Sequence, residues 1–209
     1  MKLFNTYLLL IILSMPVFAT SLMTQPDSLV LNNRLRVSTG YMQSQFFRFR
    51  EPDRSEYIEK GIAREIGFTY SYPMDDKLAL GFGLSYLTTT NQTFKYVTKN
   101  SMRATELNLN HKQTSEFVYL PVFLQRNFTN WFALKMGMSI GIAVARTDFY
   151  NQNGLGFFSS TVFHYMPNNR LDIGLEPMVH VTAMLPIPQE FYQQHMLLLG
   201  ANAYISIQF

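Results

Sequence analysis

Apolar and polar side chains alternate along most of this chain, and the pattern is clearest in its final segment. Residues 197–209 read LLLGANAYISIQF, with an apolar side chain at every second position and mostly small or polar side chains between them. A period of two is typical of a strand whose two faces meet different surroundings. The pattern therefore predicts a terminal strand with one apolar face and one largely polar face.

The same alternation, punctuated by turn residues, predicts seven further strands. Two of them, 78–86 and 131–147, carry large apolar side chains on one face and mainly Gly, Ala and Ser on the other. Two others have no clear polar face, namely 116–127, which contains Pro121 and is expected to have a bulge or an unpaired donor there, and 157–166. The complete set of predicted strands is 29–42, 61–72, 78–86, 116–127, 131–147, 157–166, 170–184 and 197–209.

The connections between these strands alternate between long and short. Tight turns are predicted at 73–76, 127–130 and 167–169, and longer loops at 43–60, 88–114, 148–156 and 186–194. Within the second loop, 97–109 is expected to extend the strands. This rhythm predicts an all-β chain, an eight-stranded antiparallel up-and-down transmembrane β-barrel with short periplasmic turns and longer outer loops. Domain 28–209 is the predicted barrel.

The first residues have the organisation of a secretory signal peptide. Lys2 precedes the apolar run 7–13, and Pro16 precedes a small-residue cleavage site at Ala19. A membrane anchor is the alternative, but the run is short for a bilayer span. We therefore expect a cleaved signal peptide over 1–19 and a periplasmic lead-in over 20–27. No second long apolar run follows, which argues against a helical membrane protein.

Composition and charge narrow the classes further. The chain has no cysteine, which excludes disulfides and thiolate metal sites, and its four histidines lack a recognised ligand spacing. No cofactor is expected. The formal net charge of +3 is too small to predict nucleic-acid binding.

A soluble barrel that carries a ligand is the main alternative fold. Such a carrier places large apolar groups inward and charges outward, whereas here the smaller face suits the crowded interior of a narrow barrel. We therefore expect the small and polar face to line the lumen. The charged and ionisable residues of that face are expected to form a structural network of ion pairs, with a small ion pore or a catalytic set as the alternatives. They are Arg34, Arg36, Glu65, Lys135, Asp172, Glu176 and His180.

The final strand resembles the C-terminal strand of bacterial outer-membrane β-barrels. That resemblance implies an assembly signal at Ile205, Ile207 and Phe209, read by the barrel-assembly machinery. The segments ANAYISIQF, YSYPMDDKLALGFGLSY and YLPVFLQRNF extend the resemblance to the superfamily of small eight-stranded outer-membrane barrels, of porin-like or opacity type. The resemblance implies an outer-membrane location and a role in envelope integrity, adhesion, host-surface contact or small-solute passage.

One short stretch invites a comparison with an enzyme. His164-Tyr165-Met166 is similar to the His-x-Ser stretch of outer-membrane lipid A deacylases, but Met166 stands where the nucleophilic serine is required. We therefore predict a non-enzymatic structural or surface-interaction protein, with a small-solute pore or a lipid A-modifying hydrolase as alternatives. Its expected partners are outer-membrane lipid and lipopolysaccharide, favoured by basic outer loops, and a host or surface ligand at those loops.

Overall fold

A computed structural model of the chain describes residues 33–47, 56–58, 61–95, 111–144, 153–168, 170–186 and 195–209. The predicted signal peptide and lead-in, and most residues of the predicted outer loops, lie outside these ranges. The described residues form nine strands, of which one is only three residues long. The strands are β1 (Arg34–Phe47), β2 (Glu56–Ile58), β3 (Gly61–Pro73), β4 (Leu78–Lys95), β5 (His111–Thr129), β6 (Phe132–Ala143), β7 (Gly154–Tyr165), β8 (Leu171–Pro186) and β9 (His195–Gln208).

The eight long strands close into a single antiparallel barrel. Each long strand pairs with its neighbour in the chain, β1 pairs with β9, and the short β2 pairs with the far end of β4. Closure removes every free sheet edge among the long strands. The predicted eight-stranded up-and-down barrel is confirmed. None of the described segments is a helix with the length and apolarity needed to cross a bilayer.

Short polar side chains close two of the three tight turns at one end of the barrel, which we call the turn end. Asp75 accepts hydrogen bonds at 2.7 Å from the backbone N–H groups of Lys77 and Leu78. Asn168 does the same for Arg170 and Leu171, at 2.9 and 2.8 Å. Aspartate and asparagine favour turns because they can bond the backbone in this way. The strand ends that the four longer connections join lie at the opposite end, the loop end.

Large apolar side chains cover the outer surface of the barrel. On β3 and β4, for example, Phe68, Phe82 and Leu84 are at least half exposed, whereas Ala63 and Leu87 are fully buried. Successive side chains of a strand point to opposite sides of the sheet, so one stripe of each strand faces out and the other fills the lumen. An apolar outside with a smaller, more polar inside is the arrangement expected of a transmembrane barrel.

Neighbouring strands explain which face of β5 points inward, a question that its sequence left open. In β5 the rings of Phe117, Tyr119 and Phe123 are buried inside, and the aliphatic side chains between them face outward. Phe123 pairs with Gly81 on β4 and with Gly137 on β6, and a Cβ at either glycine would collide with Phe123. Glycines on both sides thus make room for a large inward ring.

Prolines interrupt the sheet at two places. The β4–β5 ladder has no pairs between Phe82–Val122 and Ser85–Tyr119, which brackets Pro121. The β7–β8 ladder has a similar gap around Pro177. The local disturbance expected at Pro121 is therefore present, because proline has no N–H to give to the ladder.

Some strands extend further than expected. β1 continues to Phe47 and β2 forms within 56–58, so the predicted loop 43–60 is wrong in part. β4 reaches Lys95 and β5 begins at His111, while the predicted extension 97–109 lies outside the described residues. These extensions are mostly polar and show no regular alternation of apolar residues, so the pattern gave no signal for them.

Candidate functional site

The lumen is the candidate site, because the seven ionisable residues predicted to face inward all lie on its inner wall. Six of them are buried, and Arg34 at the turn end is partly exposed. The structure brings five of these residues into two groups and leaves the other two apart. One group contains Arg36, Lys135 and Glu176, the second contains Arg34 and Asp172, and Glu65 and His180 belong to neither.

The first group, together with Gln125 and Ser160, forms what we call the charged cluster. Glu176 is at its centre: one carboxylate oxygen accepts a 3.0 Å bond from Arg36 Nη1, and the other contacts Lys135 Nζ. Ser160 Oγ donates to Glu176 at 2.7 Å, and Arg36 Nη2 donates to Gln125 Oε1 at 3.3 Å. Buried charges are tolerated when they are paired and hydrogen-bonded in this way.

Aromatic rings enclose the cations of the charged cluster. The Arg36 guanidinium carbon lies 3.9 Å from the centroid of the Tyr204 ring, and Lys135 Nζ lies 4.6 Å from that of Phe123. The negative face of an aromatic ring attracts a cation, most strongly where water is excluded. The cluster therefore compensates two cations with one carboxylate and two ring faces.

The turn-end group is built on Asp172. Its carboxylate lies 3.1 Å from His164 Nδ1 and 3.3 Å from the Tyr204 hydroxyl, with Arg34 Nη1 at 3.7 Å. Since a carboxylate only accepts hydrogen bonds, we assign the proton to His164 Nδ1. His164 Nε2 is buried and has no hydrogen-bond partner among the described residues.

Glu65 and His180 lie nearer the middle of the barrel, beside a cavity of about 30 Å³. Glu65 forms no ion pair with another described residue. His180 is buried between the rings of Tyr119 and Phe158, and its Nε2 lies 2.8 Å from Ser139 Oγ. A cavity of this size holds only a few water molecules.

Above the cavity, towards the loop end, a group of apolar side chains fills part of the lumen, and buried Ser44, Thr89 and Asn91 hydrogen-bond to one another beside it. Five side chains from four strands each have less than 2 % of their surface exposed. We call them the apolar plug, and they are Met42, Leu87, Phe117, Met196 and Leu198. At this level the barrel interior is tightly packed, as is usual in a narrow eight-stranded barrel.

Several lumen residues were not predicted as part of the network. Gln125, Ser160 and His164 lie on β5 and β7, whose faces the sequence did not resolve. Tyr204 and Asn202 lie on the polar face of β9, where the alternation could have indicated them.

No group of three or more potential metal ligands occurs among the described residues. No described hydroxyl lies within hydrogen-bond distance of the free nitrogen of His164.

No family model matches the sequence, and a search of curated proteins found no match. Solved structures do match. The outer membrane protein OprG from Pseudomonas aeruginosa superposes with a TM-score of 0.51 at 11% identity, covering 86% of this chain and 96% of OprG. Ail of Yersinia pestis (TM-score 0.39, 15% identity, 82% and 98% covered) and AlkL (0.39, 8%, 89% and 93%) are also found. The chain has the fold of the small eight-stranded outer-membrane barrels.

Proposed function

We propose that this chain is a non-enzymatic outer-membrane protein whose barrel is a closed scaffold and whose outer loops make its functional contacts. The observation that carries this proposal is the filled lumen. In the loop-end half the apolar plug packs beside hydrogen-bonded polar side chains, and in the turn-end half most of the ionisable side chains are paired. A lumen occupied in this way supports a structural or surface-interaction role, in envelope integrity or adhesion.

The outer surface supports a membrane location. Exposed Tyr72, Trp131, Tyr165 and Phe209 lie near the turn end, and exposed Tyr41 and Tyr86 lie towards the loop end. Aromatic residues at both edges of an apolar band are typical of membrane barrels. In this proposal the signal peptide exports the chain, the assembly machinery reads Phe209, Ile207 and Ile205, and the loops face outward.

The turn-end group supports the absence of enzymatic activity. A hydrolase needs a nucleophile beside its base, and the His164 ring is buried in the lumen with Asp172 rather than facing lipid. Met166, in the place of the serine, has a thioether that cannot attack an ester. We therefore assign Asp172 and His164 a role in holding β7, β8 and β9 together.

The second candidate function is a small-solute pore, and one observation favours it. The cavity of about 30 Å³ is lined by charged and polar residues, among them Arg36, Glu65 and Lys135. Opening it to the loop end would require the plug side chains to move apart. Their burial argues for a closed state.

Conductance in planar bilayers tests the closed scaffold. We expect purified barrel to produce no steps above background under conditions in which an open porin conducts. Regular ohmic steps that scale with added protein would contradict the proposal and favour the pore. Cell fractionation tests the location independently: the protein is expected with the outer membrane, and recovery only from the soluble periplasm would overturn the membrane assignment.

A further inference from the structure

Arg64 lies on the outward side of the barrel wall, at the level of exposed apolar side chains. Arg64 of β3 is exposed between Ile62 and Ile66, which are 49% and 54% exposed on the same face. The energetic cost of a cation on the lipid face of a barrel is largest at the bilayer midplane and falls to about 0–1 kcal/mol near the interface. The position of Arg64 along the barrel axis therefore determines whether its guanidinium lies among acyl chains or among lipid headgroups.

The strand geometry places Arg64 at the upper edge of the apolar band. Tyr72, on the same face of β3, is 56% exposed at the turn end and precedes the tight turn. Arg64 is eight residues away, which is about 26 Å along the strand and about 20 Å along the axis of a barrel with the usual strand tilt. An apolar band is about 25 Å tall, so Arg64 lies about 5 Å inside the loop-end boundary, close enough for its long side chain to reach the lipid headgroups.

Arg64 has hydroxyl neighbours but no ionic partner. It pairs in register with Tyr41 on β1 and Thr88 on β4. Tyr86, diagonally across, donates its hydroxyl hydrogen to the Glu116 carboxylate. Glu116 is one strand beyond Thr88, about 10 Å from the β3 backbone at the usual strand spacing. Among the described residues Arg64 forms no ion pair.

We propose that Arg64, between Tyr41 and Tyr86, binds a phosphate group of lipopolysaccharide in the outer leaflet. The planar guanidinium offers paired N–H donors that match two phosphate oxygens, Tyr41 adds a hydroxyl donor, and the rings of Tyr41 and Tyr86 add flat surface beside it. This site rests on the proposed outer-membrane location, with the loop end outward. It would give the barrel a fixed contact with one lipid molecule.

Titration with bisphosphorylated lipid A tests the site. Binding is measured by native mass spectrometry on detergent-solubilised barrel for wild type, Arg64→Gln, Arg64→Lys and Arg170→Gln. Arg170→Gln is the matched control, because Arg170 is exposed at the opposite end of the barrel and carries the same charge. We expect about tenfold weaker binding for Arg64→Gln, a smaller loss for Arg64→Lys and a change of less than about twofold for the control.

Removing the phosphates from lipid A should weaken its binding to wild type and abolish the difference between wild type and Arg64→Gln. Equal losses in Arg64→Gln and Arg170→Gln would show non-specific attraction and overturn the site, as would unchanged binding of dephosphorylated lipid A. A shift in gel mobility on boiling checks that each variant is folded. If wild type fractionates with the outer membrane and Arg64→Gln binds normally, only this inference fails; if wild type is periplasmic, the proposed function fails.

Discussion

The two halves of the lumen are filled by opposite means. Towards the loop end, Met42, Leu87 and Phe117 form part of a dry apolar plug, and towards the turn end Arg36, Lys135 and Glu176 form a charged cluster. Both halves exclude bulk water, yet the stability of the plug depends on shape and that of the cluster depends on charge balance. They should therefore respond differently to substitution.

A plug side chain contributes its own burial, and removing it leaves a cavity whose cost is local. A member of the charged cluster also determines whether its partners are tolerated. Without Glu176, two cations would remain in a space with room for only a few water molecules. Closure of the lumen should therefore tolerate single substitutions at the loop end, whereas at the turn end it depends on balanced charges.

The largest effect is expected for Glu176→Gln. This change keeps the size of the side chain and removes the charge shared by Arg36 and Lys135, which should lower the free energy of unfolding by about 3–5 kcal/mol. Urea unfolding in lipid vesicles measures it. Glu116→Gln, on the outer face, is the matched control and should cost less than about 1 kcal/mol. Equal stability of both variants would mean that the cluster is hydrated.

Leu87→Ala, in the plug, should destabilise the barrel by about 3 kcal/mol. The loss combines buried apolar surface with the cavity that the surrounding side chains cannot fill. Leu84→Ala on the same strand is the control, because Leu84 is 50% exposed and lipid can occupy the vacated space. The same unfolding assay should show a smaller loss there. A larger loss of stability for Leu84→Ala than for Leu87→Ala would mean that Leu84, and not Leu87, lies on the packed face of β4.

The smallest effect is expected when all three charged members of the charged cluster are replaced. The triple variant Arg36→Met, Lys135→Met and Glu176→Leu fills similar space without charge, and should unfold within about 2 kcal/mol of wild type. Its stability should exceed that of Glu176→Gln. A triple variant less stable than the single one would show that the ions stabilise the barrel beyond neutralising each other.

Much of the fold could be predicted from the sequence, because the wall of a membrane barrel separates two different environments. In β3 and β6 this separation appears directly as alternation of large and small side chains. In β5 it does not, because Phe117 and Phe123 enter the lumen against glycines on neighbouring strands. The sequence of one strand does not show which of its rings will lie opposite a glycine on a neighbouring strand. The largely polar extensions of β1 and β4 were missed because they show no regular alternation of apolar and polar residues.

The site was less predictable than the fold. Alternation indicated which ionisable residues face inward, but it did not specify their partners, which depend on register and barrel closure. Arg36 and Glu176 are 140 residues apart in sequence, yet they meet across the lumen. Glu65 belongs to the same face and forms no such pair with a described residue. The charge of an inward residue alone therefore does not predict whether that residue forms an ion pair.

The central claim is that the large apolar side chains of the barrel wall face lipid, and fluorescence quenching tests it most directly. Phe82 and Phe123 lie on adjacent strands at nearly the same register, and they are 55% and 2% exposed. The chain has one tryptophan, so Trp131→Phe provides a background for Phe82→Trp and Phe123→Trp. In vesicles with brominated acyl chains, fluorescence should be strongly quenched at position 82 and nearly unchanged at position 123. The reverse pattern would contradict the outward orientation of the large side chains.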